Sequence, residues 1–289
     1  MLCNQCPRKC NIDRATALGF CQTAEHFTVA RIAPHAWEEP PISGKNGSGT
    51  IFFGGCNLRC VFCQNRDISR GGKGTPMTDD ELAQAILALG DSGVHNVNLV
   101  TPSHYTYRLA RLLEAIKPQL HVPVVWNSSA YESVDSLRAL NGLVDIYLPD
   151  MKYFSPTLSK TYSAAPDYFA VAADALAEML RQTGAPRWNA DGSLLLGGTV
   201  VRHLVLPGER RDSLALLDAL HARFGADAFL LSLMSQYTPD FALDTPFKNL
   251  HRRATTFEYD SVRTHATALG FDGFSQAPAS ASASYTPIF

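Results

Sequence analysis

The sequence predicts an α/β fold built around a parallel sheet, and two observations predict it. From residue 50 onward, apolar runs of strand length alternate with amphipathic stretches of helical length. Each run also ends in polar residues, as in parallel barrels whose reactive face gathers at the C-terminal ends of the strands. With 289 residues, 46% of them hydrophobic and 18% charged, the chain is long enough to bury one large core.

The first strand of the series covers 50–55, where Ile51, Phe52 and Phe53 form an apolar run stopped by Gly54 and Gly55. Before it, residues 22–50 form a connector with a candidate strand at 27–32, then His35, Trp37, Glu38, Glu39 and two prolines. The glycine-rich stretch 43–49 is no phosphate loop, because it precedes a strand and lacks a closing Gly-Lys-Ser/Thr. Thr78 and Glu81 make a capping box that opens a helix through Leu89. Further strands are expected at 95–100, 122–126, 143–148, 199–206 and 228–234. Helices are expected at 105–116, 133–140, within 168–182, at 213–224 and at 258–268. Right-handed crossovers then make the six strands parallel. Residues 1–49 read as a cysteine-rich segment and connector, and 50–274 as the α/β unit. The stretch 275–289 reads as a low-complexity tail expected to be disordered.

Cys56, Cys60 and Cys63 follow the first strand at C-x3-C-x2-C spacing. Thiolates this close suit a compact metal centre. Three ligands leave a coordination position open, whereas a structural tetrahedral site closes itself with four. A zinc knuckle completed by a distant residue, or buried inert thiols, are the plainer readings. Cys3, Cys6, Cys10 and Cys21 form a second set, with Arg8, Lys9 and Arg14 nearby to favour deprotonated sulfur. So short a stretch has little core of its own, so a metal is expected to organise it, either zinc or an auxiliary iron–sulfur cluster. Seven cysteines, an odd number, read as metal ligands in a reducing compartment, and the cytoplasm is the expectation. The start lacks the layout of a signal peptide, and no apolar run approaches a membrane span. A formal charge of −2 argues against an electrostatic grip on nucleic acid or an anionic membrane.

The cysteine spacing, with Phe62 just before the last thiol and the wider stretch from Gly54 to Asn65, resembles the signature of the radical S-adenosylmethionine (radical SAM) enzymes. Within them it is similar to the group around the pyruvate formate-lyase activating enzymes. Whole-chain likeness to an uncharacterised, activase-like group rests on Cys6-Pro-Arg-Lys-Cys10, His35 with Trp37-Glu-Glu-Pro40, and Leu99-Val-Thr-Pro-Ser-His104. It continues in Asp145-Ile-Tyr-Leu-Pro-Asp-Met-Lys152, Val201-Arg-His-Leu-Val-Leu-Pro-Gly208 and Leu233-Met-Ser-Gln-Tyr237. The resemblance implies a partial (β/α)6 barrel. It also implies a 4Fe–4S cluster on Cys56, Cys60 and Cys63, with SAM chelating the fourth iron. A low-potential electron, from a donor of the flavodoxin or ferredoxin type, then cleaves SAM to methionine and a 5′-deoxyadenosyl radical that abstracts hydrogen from a substrate. Two departures stand out. Thr101-Pro-Ser-His104 replaces the Gly-Gly-Glu that often receives the amino group of SAM, and the ferredoxin-like insert of many activases is absent.

The polar strand ends supply the candidate SAM-binding residues. Thr101, Ser103 and His104 follow the second strand, Asn127 and Ser129 the third, Asp150 and Lys152 the fourth, and Gln236 the sixth. Thr101 or Ser103 is expected to take over the amino contact. Asp150 and Lys152 complement SAM's charges, and Phe62 packs on adenine or belongs to the core. On the fifth strand Arg202 and His203 cannot both point inward. His203 is expected inside, since a neutral ring sits more easily than a fixed cation beside cationic SAM. His104, Asp150, Lys152, His203 and Gln236 are thus expected to share one cavity. The alternative is a core His203 with Arg202 paired to an acid in the pocket. Three functional classes stay open: an activase making a glycyl radical on a partner protein, an enzyme acting on a small molecule or another macromolecule, and electron transfer without SAM consumption.

Overall fold

Period-two alternation in the strands of the sheet separates an inner barrel surface from an outer, helix-covered one. The computed structural model describes residues 2–70 and 73–276. Its strands are β1 (Phe27–His35), β2 (Ser48–Phe53), β3 (Thr75–Met77), β4 (Val97–Val100) and β5 (Val124–Ser128), followed by β6 (Ile146–Pro149), β7 (Arg187–Trp188), β8 (Leu195–Leu204), β9 (Leu230–Met234) and β10 (Gly273–Ser275). They run in the order β10-β9-β8-β6-β5-β4-β2-β1-β3, with β7 paired to β8. The six strands expected from the sequence are β2, β4, β5, β6, β8 and β9, and every neighbouring pair among them is parallel. β1 and β3 extend one edge antiparallel, and β10 extends the other in parallel. Within this order β9 and β2 do not pair, so the sheet is an open, partial barrel.

The helices are α1 (Pro40–Ser43), α2 (Arg66–Ser69), α3 (Asp79–Asp91), α4 (Thr106–Ile116), α5 (Val134–Arg138), α6 (Pro156–Ser163), α7 (Tyr168–Thr183), α8 (Arg210–Phe224) and α9 (Thr256–Ala268). The expected capping box opens α3. A second box, on Thr255 and Glu258, opens α9 two residues earlier than expected. α6 was not anticipated, although Ser155 caps it and Pro156 begins it. No helix of the described residues is long and apolar enough to cross a membrane.

Alternation sorts the core. Val97, Leu99, Val124, Trp126 and Tyr147 face α3, α4, α5 and α7, while Val201, Leu231 and Leu233 face the layer of α7, α8 and α9. Val125, Ile146, Leu148, Val200 and Leu230 turn inward and meet around Ile42 of α1, which is fully buried. The connector after β1 therefore plugs the barrel below its centre. Above that apolar plug the inward positions become polar: Asn98, Asn127 and Arg202. The chain beyond 274 does not turn directly into tail, since Ser275 ends β10 and Gln276 bonds to Ser235, Gln236 and Tyr259. Residues 277–289 lie outside the described residues.

Candidate active site and metal centres

Strand β2 ends in a turn that only glycine can make. Gly55 has φ +80°, and a Cβ there would sit 2.3 Å from Thr23 Cγ2 and 2.5 Å from the Cys21 carbonyl oxygen. The turn delivers Cys56, Cys60 and Cys63 to the wall of one cavity of about 360 Å³, within the range of small-molecule sites. Each thiol has a hydrogen-bonding neighbour. The Leu58 N–H donates to Cys56 Sγ at 3.4 Å, and the Ser163 hydroxyl donates to Cys60 Sγ at 3.0 Å. Cys63 Sγ lies 3.4 Å from the Ser69 hydroxyl. Burial, and then the Cys60 charge, push the Cys56 and Cys63 thiols up, while Lys152 pulls both down. Phe62 is buried edge-on against Tyr162 and Tyr237 while also touching the cavity.

The cavity floor is a charge network. Arg202 donates to Asp150 Oδ1 through Nε at 2.8 Å, to Glu38 Oε2 at 3.1 Å and to Asn127 Oδ1 at 2.5 Å. Lys152 Nζ takes the other Asp150 oxygen at 2.8 Å. Glu38 Oε1 accepts from Asn98 at 3.2 Å and from Asn127 at 3.3 Å. Burial alone would raise Asp150, but Arg202 and then Lys152 hold it below the ordinary carboxylate value. Burial would also lower Lys152, yet Asp150 and Cys60 hold it up. For Glu38 burial wins over Arg202, and its pKa rises to about 7.

Of the residues expected here, Thr101, Asn127, Ser129, Asp150, Lys152 and Gln236 line the cavity with the three cysteines. Thr101 has φ +59°, a strained backbone for a β-branched residue, and donates its N–H to the Asn127 carbonyl at 2.8 Å. Three expectations about position are corrected. His203 points into the helix layer, between the Met151 carbonyl at 2.7 Å and the Ser213 hydroxyl at 2.9 Å, while Arg202 lines the cavity. Strand alternation decides it: Val200, Arg202 and Leu204 share the inner face. The expected charge penalty is absent because three carboxylates surround Arg202. His104 lies beneath the glycine turn, its Nε2–H on the Gly54 carbonyl at 2.8 Å, and burial drives its pKa to about 3. Ser103 is bonded to buried Glu132 at 2.9 Å. A 3-10 turn over Ser103–Tyr105 carries both away from the cavity.

Residues that sequence reasoning passed over are Glu38 and Glu39 at the floor, Trp37 on the wall, and Asn65 and Gln276. Two acids held ahead of Pro40-Pro41 were the available signal for the floor.

The burial of His203 has a measurable consequence. Its pKa falls from 6.5 to about 4, through burial and then the nearby Lys152 charge. Below pH 6.5 the unfolded chain takes up a proton that the folded chain refuses until about pH 4. Its contribution is therefore complete above pH 6.5 and is lost as pH falls through that window, at about 1.4 kcal/mol per pH unit. His203→Gln, which retains a donor for Met151, is expected to remove about 2 kcal/mol of the stability lost between about pH 6.5 and 5. Urea unfolding at both pH values measures this, and identical acid losses in the two proteins would contradict a neutral, buried His203.

The N-terminal thiols pack against the same loop. Arg8 donates to the Asn57 carbonyl at 2.8 Å and to the Ala164 carbonyl at 2.6 Å, and it stacks on Phe20. Cys6 and Cys21 are buried. Burial pushes Cys6 up to about 12, and Cys21, Cys3 and Cys10 add to the rise, so the four thiols are neighbours. Among the described residues, no three Cys, His, Asp or Glu side chains are gathered tightly enough for a single metal ion, in this set or in the loop set. The expected convergence of Cys3, Cys6, Cys10 and Cys21 on one ion is thus not seen in this conformation.

Comparisons with known proteins bear on the family. In sequence the chain is similar to uncharacterized protein MJ0674 of Methanocaldococcus jannaschii, with 28% identity over 279 residues, covering 93% of this chain and 75% of that one. In fold it is similar to the FeFe-hydrogenase maturase HydG from Carboxydothermus hydrogenoformans, with a TM-score of 0.50 at 14% identity over 80% of this chain. It is also similar to a radical SAM methyltransferase from Sphaerobacter thermophilus, with a TM-score of 0.53 at 11% identity over 78% of this chain. The chain spans 58% and 66% of the length of those two proteins, and at such identities the likeness concerns the fold alone. The family model of the radical SAM superfamily matches residues 50–220, from β2 into α8, and takes in the three loop cysteines, Asp150, Lys152 and Arg202. The chain belongs to the radical SAM superfamily.

Proposed function

We propose that the protein cleaves SAM reductively and takes a hydrogen atom from a polar substrate held in the cavity below Cys56, Cys60 and Cys63. The observation that carries this reading is one cavity joining three thiols to a buried, charge-lined floor. The residues fit the 4Fe–4S cluster and SAM that the family implies. A cluster takes each thiolate on a different iron, so the sulfurs need not converge on one point. Their mutual destabilisation as anions, each beside an N–H or O–H group, suits a cationic metal centre. Among the described residues no fourth thiol lines the cavity, while Ser129 Oγ and Asn65 Oδ1 are buried there without a partner.

When bound, the cluster and SAM supply one-electron cleavage of the sulfonium–C5′ bond, giving methionine and a 5′-deoxyadenosyl radical that becomes 5′-deoxyadenosine by taking substrate hydrogen. Cys56, Cys60 and Cys63 would hold the metal. Lys152, between Asp150 and the thiols, offsets thiolate charge. Ser129, Asn65 and strained Thr101 offer hydrogen-bonding groups, and Arg202 holds Asp150 and Asn127 in place. The reductant is a low-potential donor of the flavodoxin or ferredoxin type. A partner protein's glycyl residue is the second reading of the substrate, favoured by the open sheet, whose end strands β10 and β3 do not pair with each other, a route by which a loop could enter. The N-terminal thiols belong to a second centre, zinc or an auxiliary cluster, pressed against the loop through Arg8 and Gly55.

One experiment tests these assignments. After anaerobic reconstitution, the protein is expected to form 5′-deoxyadenosine from SAM and dithionite. Zinc, iron and sulfide are counted in the same samples and in a variant with Cys56, Cys60 and Cys63 all changed to alanine. Absence of 5′-deoxyadenosine from the reconstituted wild type would refute the radical reading. A triple variant retaining neither zinc nor iron would refute the second centre.

A further inference from the structure

The cavity has a second polar end, below the thiols. Glu38 reaches Asn98, whose register partner on β2 is Thr50, six residues before Cys56. Among the described residues, three carboxyl groups, Glu38, Glu39 and Asp150, and two cationic side chains, Lys152 and Arg202, line this space. Three carboxyl groups thus share two cations. The hydrogen bonds show which carboxyl is left short of donors. Both Asp150 oxygens and both Glu38 oxygens are occupied. Among the described residues Glu39 Oε2 has no hydrogen-bond partner, and its ion-pair neighbour is Arg202 Nη1 at 3.9 Å, a nitrogen already committed to Glu38. Glu39 is nevertheless only 8% exposed.

A carboxyl oxygen without a hydrogen bond at that depth is costly unless something supplies the missing donor. Its position is fixed in advance. Glu39 precedes Pro40, which holds it extended at φ −50° and ψ 144°, and its carbonyl accepts from Ile42 and Ser43. Beside it the wall turns aromatic: Phe52 is buried and Trp37 is 61% exposed, both lining the same cavity. A carboxylate at the base of an aromatic wall matches a cation carried on a hydrocarbon chain, with the head on the acid and the stem along the rings.

We infer that Glu39 is the docking point for a cationic amine or guanidine group of the substrate, whose hydrocarbon stem lies along Trp37 and Phe52. This rests on the function proposed above. It deepens that reading by naming the substrate's chemical class, and the recognised group can belong to a free small molecule or to a lysyl or arginyl side chain.

Calorimetry on the reconstituted protein with SAM and no reductant tests it. The probes are putrescine, agmatine, a blocked Gly-Lys-Gly peptide and, as an uncharged match in length, 1,4-butanediol. Saturable binding of at least one cationic probe is expected, at least 10-fold tighter than the diol. Tighter binding of the free amines would identify a small-molecule substrate, and tighter binding of the peptide a protein one. Glu39→Gln is expected to weaken the cationic probe at least 10-fold, and Glu39→Asp to weaken it less. Where Glu39→Gln does not fold, the amine–diol comparison on wild type and the Glu39→Asp variant decide the matter. The inference is overturned if no cationic probe binds wild type, if the diol binds equally, or if Glu39→Gln binds the amine as wild type does. It is also overturned if Glu39→Gln loses SAM affinity while no cationic probe binds wild type, which would give the acid to the cofactor. Formation of 5′-deoxyadenosine by wild type is scored separately: its absence defeats the radical reading, whereas its presence without amine binding defeats this inference alone.

Discussion

Cys60→Ala is expected to abolish 5′-deoxyadenosine formation from SAM and dithionite, with no product above the protein-free background. Cys60 lies between the other two loop thiols in sequence, and the three share one cavity wall with no other cysteine among its lining residues. Alanine there leaves two thiols, and the Ser163 hydroxyl, 3.0 Å from Cys60 Sγ, loses its acceptor. The Cys60 backbone is held independently by Arg70, which donates to its carbonyl at 2.7 Å, so the loop itself is expected to survive. Ser163→Ala provides the graded comparison: it removes a donor to the sulfur and keeps the thiol. Loss of such an outer hydrogen bond typically costs about 10–100-fold in metal affinity or activity, well short of abolition. Product chromatography with iron and sulfide counts on both variants measures the contrast. Normal turnover by Cys60→Ala would remove the loop cysteines from the reaction.

The contrast between the cysteine loop and the cavity floor shows what a sequence can reveal by itself. The six parallel strands were legible because β-branched and aromatic runs alternate along each of them and helical periods separate the runs. Cys56, Cys60 and Cys63 were legible because their spacing is local, and Gly54-Gly55 announces the turn that carries them. Thr101, Asn127, Ser129, Asp150, Lys152 and Gln236 followed from one rule, that loops leaving the C-terminal strand ends share a pocket. The same rule misplaced Ser103 and His104, because a single 3-10 turn after Thr101 rotates them under the sheet end. The choice between Arg202 and His203 failed for a different reason. Alternation left the parity of β8 open, and the charge argument lacked Glu38 and Glu39, 164 and 163 residues distant in sequence. The strand β10 and Gln276 escaped notice because three residues of edge strand beside a low-complexity tail carry no period to detect.

Arg202→Met is expected to destabilise the protein by about 3–5 kcal/mol at pH 8, the usual cost of stripping one partner from a buried ion network. The Arg202 side chain is 12% exposed, and those of Glu38, Glu39 and Asp150 are 10%, 6% and 20% exposed. Methionine fills much of the volume but leaves Lys152 as the remaining Lys or Arg among the described residues lining the cavity. The pH dependence separates this cause from simple loss of packing. Glu38 already titrates near 7 because burial outweighs the pull of Arg202, against an ordinary value of 4.5. A raised carboxylate pKa makes the folded state the tighter proton binder, so its stability contribution is present at low pH and lost as pH rises through the window from 4.5 to about 7. Without Arg202 that window extends above 7. Lowering the pH from about 8 to about 6 should therefore restore stability in the variant, by up to about 1.4 kcal/mol per pH unit for each carboxylate that protonates. Wild type should gain less over the same interval. Arg202→Lys is expected to fall between the two, since an ammonium supplies the charge but not the planar fork that reaches Asp150, Glu38 and Asn127 together. Urea unfolding of the three proteins at pH 6 and pH 8 gives all the comparisons. If Arg202→Met lies within about 1 kcal/mol of wild type at pH 8, or recovers no more than wild type on acidification, Arg202 is not what holds the acids of the floor in their charged form.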